Sequence, residues 1–261
     1  MKERVFSAII ILLILIGSLV ISSKLFGLVM LIVSIMGFNE LFNIKYEDNL
    51  KKMKIIKMLA IVSLILITLN NTFYKINMNI TILLPLLLLS MPIVFYNDSK
   101  IYNINDCLYT LGIVYFLGLS FGNIIYLRSI NTPMCIFIFI MAFITDTYAY
   151  IGGMLVGRHK LTSISPKKTI EGSVIGTVMG VVIGCVYYYS LVGNYTLFQT
   201  IMLCLFLTIL SEIGDLMFSS IKRCFNKKDY SNIIPGHGGV LDRFDSVIYV
   251  SLGLSLIMSM F

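Results

Sequence analysis

The residues best suited to chemistry lie late in the chain. The stretch PGHGGVLDRFDS, Pro235 to Ser246, packs a histidine, three glycines, an arginine and two aspartates beside the last apolar segment. Pro235, Gly236, Gly238 and Gly239 predict a tight loop whose backbone can approach a ligand closely. Asp242 and Asp245 then share one side of a helix, with Arg243 turned about 100° away. Just upstream, Glu212, Asp215, Ser219 and Lys222 step by three, four and three, and so also share a face. An internal ion-pair ladder or an N-terminal cap would explain single residues of this set, but not all of them together. Hard oxygen ligands from two helices suit Mg²⁺, which leaves its other positions to water and phosphate. Neighbouring Lys and Arg suit a polyphosphate.

Two earlier stretches belong with these. In FIMAFITDTYAYIGGMLVGRHK, Asp146, Tyr150, Gly153 and Gly157 step by four, three and four along one helical face, and the Gly-x-x-x-Gly pair invites a close helix neighbour. In SPKKTIEG, Lys167 and Lys168 stand at the start of a glycine-rich helix, where N–H groups and ammonium charge attract phosphate. In the first half of the chain, Glu40 is the one intramembrane carboxylate, and packing or a local hydrogen bond is its simplest account. Without any family knowledge, the set reads as a pocket for phosphoryl or nucleotidyl chemistry on a lipid.

The elements that must carry these residues are membrane helices. The 261 residues are 58% hydrophobic and 13% charged, about half the charge of an ordinary soluble domain. A span needs roughly 20 apolar residues to satisfy its backbone inside the hydrocarbon. Apolar windows predict nine, at 5–22, 26–43, 55–74, 79–96, 107–127, 134–154, 172–193, 197–220 and 243–261. With that count, 17 of the 20 Lys and Arg residues fall on one side. The positive-inside bias makes that side cytoplasmic, with the N-terminus on it and the C-terminus opposite. The expected fold is therefore an all-α polytopic integral membrane protein forming a single membrane domain, 1–261. Residues 1–130 are its N-terminal apolar helices and 131–261 its catalytic half. The first span reads as a retained signal anchor. Five scattered cysteines with no C-x-x-C pair argue against structural zinc and a disulfide framework. The net charge of +7 follows from sidedness and anionic lipid headgroups, and no basic stripe points to nucleic acid.

The pattern S-x-I-K-R-x-x-x-x-K-D-x-S-x-x-I-P-x-H-G-G-V-x-D-R-F-D, Ser219 to Asp245, resembles the signature of the CDP-diacylglycerol synthases (phosphatidate cytidylyltransferases). D-T-Y-A-Y-I-G-G and S-P-K-K-T-I-E-G resemble that family too, in the expected order. The resemblance implies that CTP and phosphatidic acid give CDP-diacylglycerol and pyrophosphate with Mg²⁺. It assigns Asp215 and Asp242 to the metal, with Asp245 and Asp146 next, and a second, monovalent cation such as K⁺ could share the first two. It implies that Lys222, Arg223, Lys228 and Arg243 hold the CTP phosphates, Lys167 and Lys168 those or the phosphatidate headgroup, and that Ser219 belongs to the substrate-binding set. His237 would bond a phosphate or the base, or shape the loop, and Gly238 and Gly239 would bring backbone amides to phosphate. A bacterial plasma membrane, a cytoplasm-facing site and a homodimer are further expectations. The rival readings are a CTP-dependent lipid or polyprenol kinase and, in another class, an ion- or proton-coupled transporter. A transporter usually has a midplane site and internal repeats, neither of which is visible here.

Overall fold

The computed structural model describes residues 2–70, 77–95, 101–193, 195–231 and 238–260. Among them are nine α-helices: α1 (Lys2–Ile21), α2 (Ser23–Tyr46), α3 (Lys54–Asn70), α4 (Met78–Phe95), α5 (Ile104–Ile130), α6 (Thr132–Val156), α7 (Ile170–Leu191), α8 (Leu197–Cys224) and α9 (Leu241–Met260). No strand longer than an isolated bridge occurs among the described residues. Six of the nine, α2 and α5 to α9, are long and apolar enough to cross a membrane. Shorter apolar stretches lie at Ile11–Ile21 in α1 and Asn79–Phe95 in α4. The chain is thus an all-helical protein embedded in a membrane.

Helix starts follow local chemistry. Ser22, Asn131 and Thr169 accept an N–H of the first turn of α2, α6 and α7, and Thr196 forms a reciprocal capping box with Gln199 at α8.

Residues 1–129 with 229–241, and residues 130–228 with 242–261, form two compact units. In the first, α4 carries Pro85 and Pro92 inside a helix. A proline removes a donor and disturbs the preceding turn. The carbonyl three residues before each is taken by a tyrosine, Tyr115 Oη donating to Ile82 O and Tyr102 Oη to Leu89 O at 3.0 Å. Each lies one residue past the carbonyl, that of Thr81 or Leu88, which the proline deprives of its usual N–H. At the other end of α5, Arg128 donates to Leu19 O at 2.9 Å, serving the last turn of α1. Tyr46 Oη and Lys45 Nζ meet Asp106 at 3.2 and 2.9 Å, joining α2 to α5.

In the second unit α7 has two unlike faces. Val174, Val178, Val182 and Val186 are exposed, as side chains bordering lipid should be. Opposite them Gly172, Gly176, Gly180 and Gly184 are buried at four-residue steps. A Cβ on Gly176 would come within 2.7 Å of Thr145 O, on α6, and one on Gly180 within 2.5 Å of Thr208 Cγ2, on α8. The missing side chains let α7 lie against the backbone of α6 and against the Thr208 and Cys204 side chains of α8.

Gly176→Ala should therefore destabilise the protein by about 1–3 kcal/mol through overpacking. Gly112→Ala in α5, where an added Cβ meets nothing within 4 Å, should be neutral or stabilising by up to about 1 kcal/mol. Thermal unfolding in detergent checks the opposite signs.

Candidate active site

The second unit gathers most of the residues singled out by spacing. α6 stops at Val156, and the chain returns to α7 through a short hairpin. Lys160 pairs with Thr169 as an isolated antiparallel bridge. Leu161 N donates to Lys168 O and Ile170 N to His159 O, both at 2.9 Å. Glu171, in the first turn of α7, closes the base by accepting the N–H groups of Arg158 and His159 at 3.1 and 3.2 Å, with His159 Nδ1 at 2.6 Å. The hairpin thus presents Lys167 and Lys168 on a braced tip. The expected Gly153–Gly157 helix contact takes a different form. Gly157 lies just past the helix, and both glycines leave room for Thr169, the cap of α7, whose Oγ1 would be 3.0 and 2.7 Å from their added Cβ atoms.

Between this hairpin, α6 and α8 is a cavity of about 420 Å³ whose lining includes Asp146, Tyr150, Lys167, Lys168, Glu212 and Asp215. Lys168 Nζ is 2.5 Å from Asp215 Oδ2, and Ser219 Oγ donates to Asp215 Oδ1 at 3.3 Å. Ser173 and Thr177, four apart on α7, both donate hydroxyls to Glu212, the second at 3.3 Å. One turn beyond Ser219, Lys222 Nζ is 2.5 Å from Asp242 Oδ1, with both side chains about nine-tenths buried. Asp146 lies within electrostatic range of Lys168, Asp215 and Glu212. Asp245, itself buried, lies within range of Asp215, Asp146 and Lys222. Three helices therefore bring five carboxyl groups together with two ammonium groups. The Ser246 hydroxyl is buried beside the Asp146 carboxyl without reaching hydrogen-bond geometry.

Arg243 and Lys228 are exposed, and Arg223 donates to Lys227 O at 2.9 Å, closing the turn after α8. Gly238 and Gly239 belong to the first unit, where Gly238 has a φ of 82°. That left-handed conformation is one glycine adopts readily. His237 lies outside the described residues. Spacing missed Ser173 and Thr177, although their i, i+4 placement on α7 marks a common face. It also gave no part to Glu171, whose role depends on a hairpin that only the fold reveals.

The cytidylyltransferase family matches residues 2–261. The chain belongs to that family. Among its relatives are phosphatidate cytidylyltransferases of Staphylococcus haemolyticus, 31% identical over 260 residues, and Staphylococcus saprophyticus, 30% identical over 260. That of Staphylococcus aureus is 29% identical over 263 residues. Each alignment covers 99% of this chain and 99% of the relative.

For a cytidylyltransferase the donor set can be tested against a divalent ion. Among the described residues no three His, Cys, Asp or Glu side chains form a ready-made cage. Mg²⁺ does not need one, since it is commonly held by one or two carboxylates and completed by water and phosphate. A surplus of carboxyl over ammonium groups fits such an ion.

Breaking a buried ion pair strands a charge, whereas replacing both partners by apolar groups does not. Lys222→Met should cost about 3–5 kcal/mol of stability, and Lys222→Met with Asp242→Leu should recover most of it. Chemical unfolding of the detergent-solubilised chain measures both. A double variant no more stable than the single would contradict the buried-pair reading.

Proposed function

We propose that this chain is a phosphatidate cytidylyltransferase, converting CTP and phosphatidic acid to CDP-diacylglycerol and pyrophosphate in phospholipid biosynthesis. The observation that carries the reading is the lysine-paired carboxylate cluster of α6, α8 and α9. It lies in a chain matched from end to end by enzymes of that name. In the reaction a phosphate oxygen of the lipid attacks the α-phosphorus of CTP in line. The bond from that phosphorus to the bridging oxygen breaks, and pyrophosphate leaves. Both reactants are anions, so catalysis consists of neutralising charge and aligning them. No general base is needed, because phosphatidate is already largely ionised near neutral pH.

Asp215 and Asp242 would hold Mg²⁺, with Asp245 and Asp146 beside them, and a monovalent cation could share the first two. Bound there, Mg²⁺ would supply positive charge to phosphate oxygens. Lys168 and Lys222 exchange their carboxylate partners for phosphate oxygens when CTP binds, and Lys167, beside Lys168 on the braced tip, adds a second ammonium. Arg223, Lys228 and Arg243 supply further positive charge from exposed positions. Gly238 and Gly239 offer backbone amides, and His237 a ring nitrogen, to phosphate or base. The chain lies in a bacterial plasma membrane as nine spans, with the N-terminus and the site on the cytoplasmic side, where CTP is made. The concentration of Lys and Arg in alternate loops supports that orientation.

Purified protein given CTP, phosphatidic acid and Mg²⁺ should release pyrophosphate and form a CDP-lipid in equal amounts. Release of CDP with a phosphorylated lipid would instead identify a kinase. Asp215→Asn and Asp242→Asn should each lower turnover by about 100- to 1000-fold in protein that still folds, and chelation should abolish it. Lys167→Ala and Lys168→Ala should raise a substrate KM, and unchanged KM values for both CTP and lipid would remove them from phosphate binding.

A further inference from the structure

Glu40 takes no part in the chemistry above, yet it is a carboxylate on α2, in the apolar first half, and only 3% exposed. A charged group at such depth is costly unless something offsets it. Here its oxygens accept three hydrogen bonds, all from one short segment about 190 to 200 residues further along the chain. Ser231 Oγ donates at 2.6 Å, Val240 N at 2.8 Å and Leu241 N at 2.9 Å. The two amides belong to the entry of α9, whose first N–H groups have no partner within the helix. Gly239 completes the fit, because a Cβ there would come within 2.7 Å of both Glu40 oxygens. One turn earlier on α2, Gly37 makes room for the Leu241 side chain, which would lie 2.9 Å from an added Cβ. Gly37 and Glu40 thus form a seat on α2 shaped for Gly239, Val240 and Leu241.

The seated residues include the G-V of the signature, Gly239 and Val240, and the next residue in sequence is Asp242. We infer that Glu40 is a positioning residue for cytidylyl transfer, fixing the backbone of the glycine loop and the entry to α9 so that Asp242 is delivered in one register. It acts through the loop and touches no reacting atom. A carboxylate suits the task because it only accepts, so two N–H groups and a hydroxyl can converge on it from different directions. Glutamine would turn one of those oxygens into a donor facing a donor. The inference rests on the cytidylyltransferase reading, and its test includes a measurement that does not depend on turnover.

The full-length chain and the variants Glu40→Gln, Gly239→Ala and Ser231→Ala are compared in detergent. Hydrogen exchange of the 238–241 amides should accelerate at least about tenfold in Glu40→Gln while the amides of α6 to α8 keep their protection. Per folded molecule, kcat for CDP-lipid formation should fall about 10- to 100-fold and the CTP KM should rise in Glu40→Gln and in Gly239→Ala. Ser231→Ala, which leaves both amide bonds in place, should lose less than either. A purely structural role would lower the folded fraction and leave kcat and KM per folded molecule unchanged. That result in Glu40→Gln or Gly239→Ala overturns the inference, as does undisturbed exchange at Val240 and Leu241. If both fail to fold, parental exchange and kinetics in Ser231→Ala overturn it. Parent protein that makes no CDP-lipid refutes the reaction instead, and the exchange pattern still reports on the seat.

Discussion

Placing a carboxylate inside a membrane bundle is tolerable only if cations or donors surround it, and much of this structure follows from meeting that demand several times. The solutions are of two kinds. Glu40 and Glu212 are satisfied by hydroxyls and backbone amides fixed to neighbouring segments. Asp215 and Asp242 are met instead by ammonium groups on long, flexible side chains. The first kind locks segments together. The second can be undone by a competing anion or cation without disturbing the fold, which is what a binding site requires. The chemistry of each partner thus separates carboxylates held in fixed bonds from carboxylates whose partner can swing away, although all lie in similar apolar surroundings.

The glycine face of α7 makes one example of each kind possible, the hydroxyl bonds to Glu212 and the Lys168–Asp215 pair. Helices whose contacts are built from side chains pack about 8–10 Å apart. Gly172, Gly176, Gly180 and Gly184 allow a closer approach to α6 and α8. At that separation the short hydroxyls of Ser173 and Thr177 reach Glu212. The hairpin between α6 and α7 is drawn in as well, with Thr169 seated against Gly153 and Gly157, and Lys168 arrives at Asp215. A larger residue on this face would disturb both the packing and the charge balance.

Much of the helical frame was legible in the sequence because runs of about 20 apolar residues leave few alternatives. The window 134–154 became Thr132–Val156, and 172–193 became Ile170–Leu191. α8 runs beyond its apolar window to Cys224 because the Glu212, Asp215, Ser219 and Lys222 stripe keeps helical register after hydropathy falls. The shared face of that stripe was legible from spacing, but its partners were not. Pairing Lys222 with Asp242, or Glu212 with α7, is a tertiary event, and no local pattern encodes which lysine reaches which aspartate. Glu40 was harder still, since its amide partners lie about 200 positions away. The hairpin showed the opposite failure. Arg158, His159 and Glu171 stand in a stretch read as phosphate-binding, yet Glu171 spends its acceptors bracing the turn.

The choice of lysine in both exchangeable pairs has a physical basis. Arginine would fit a carboxylate with a planar, two-pronged grip and lose that geometry on leaving it. The lysine ammonium is a compact charge with three equivalent donors on a flexible stem, so it can pass from carboxylate to phosphate by rotating a few bonds. Two unit charges about 4 Å apart interact by about 4 kcal/mol at the effective dielectric of a protein surface. A nucleotide phosphate entering among unpaired carboxylates would meet repulsion of that order from each. With Lys168 at Asp215 and Lys222 at Asp242, those two carboxylates are already partnered. On the proposed reading, the positive charge that the phosphate needs is then stored beside the place where it would be used.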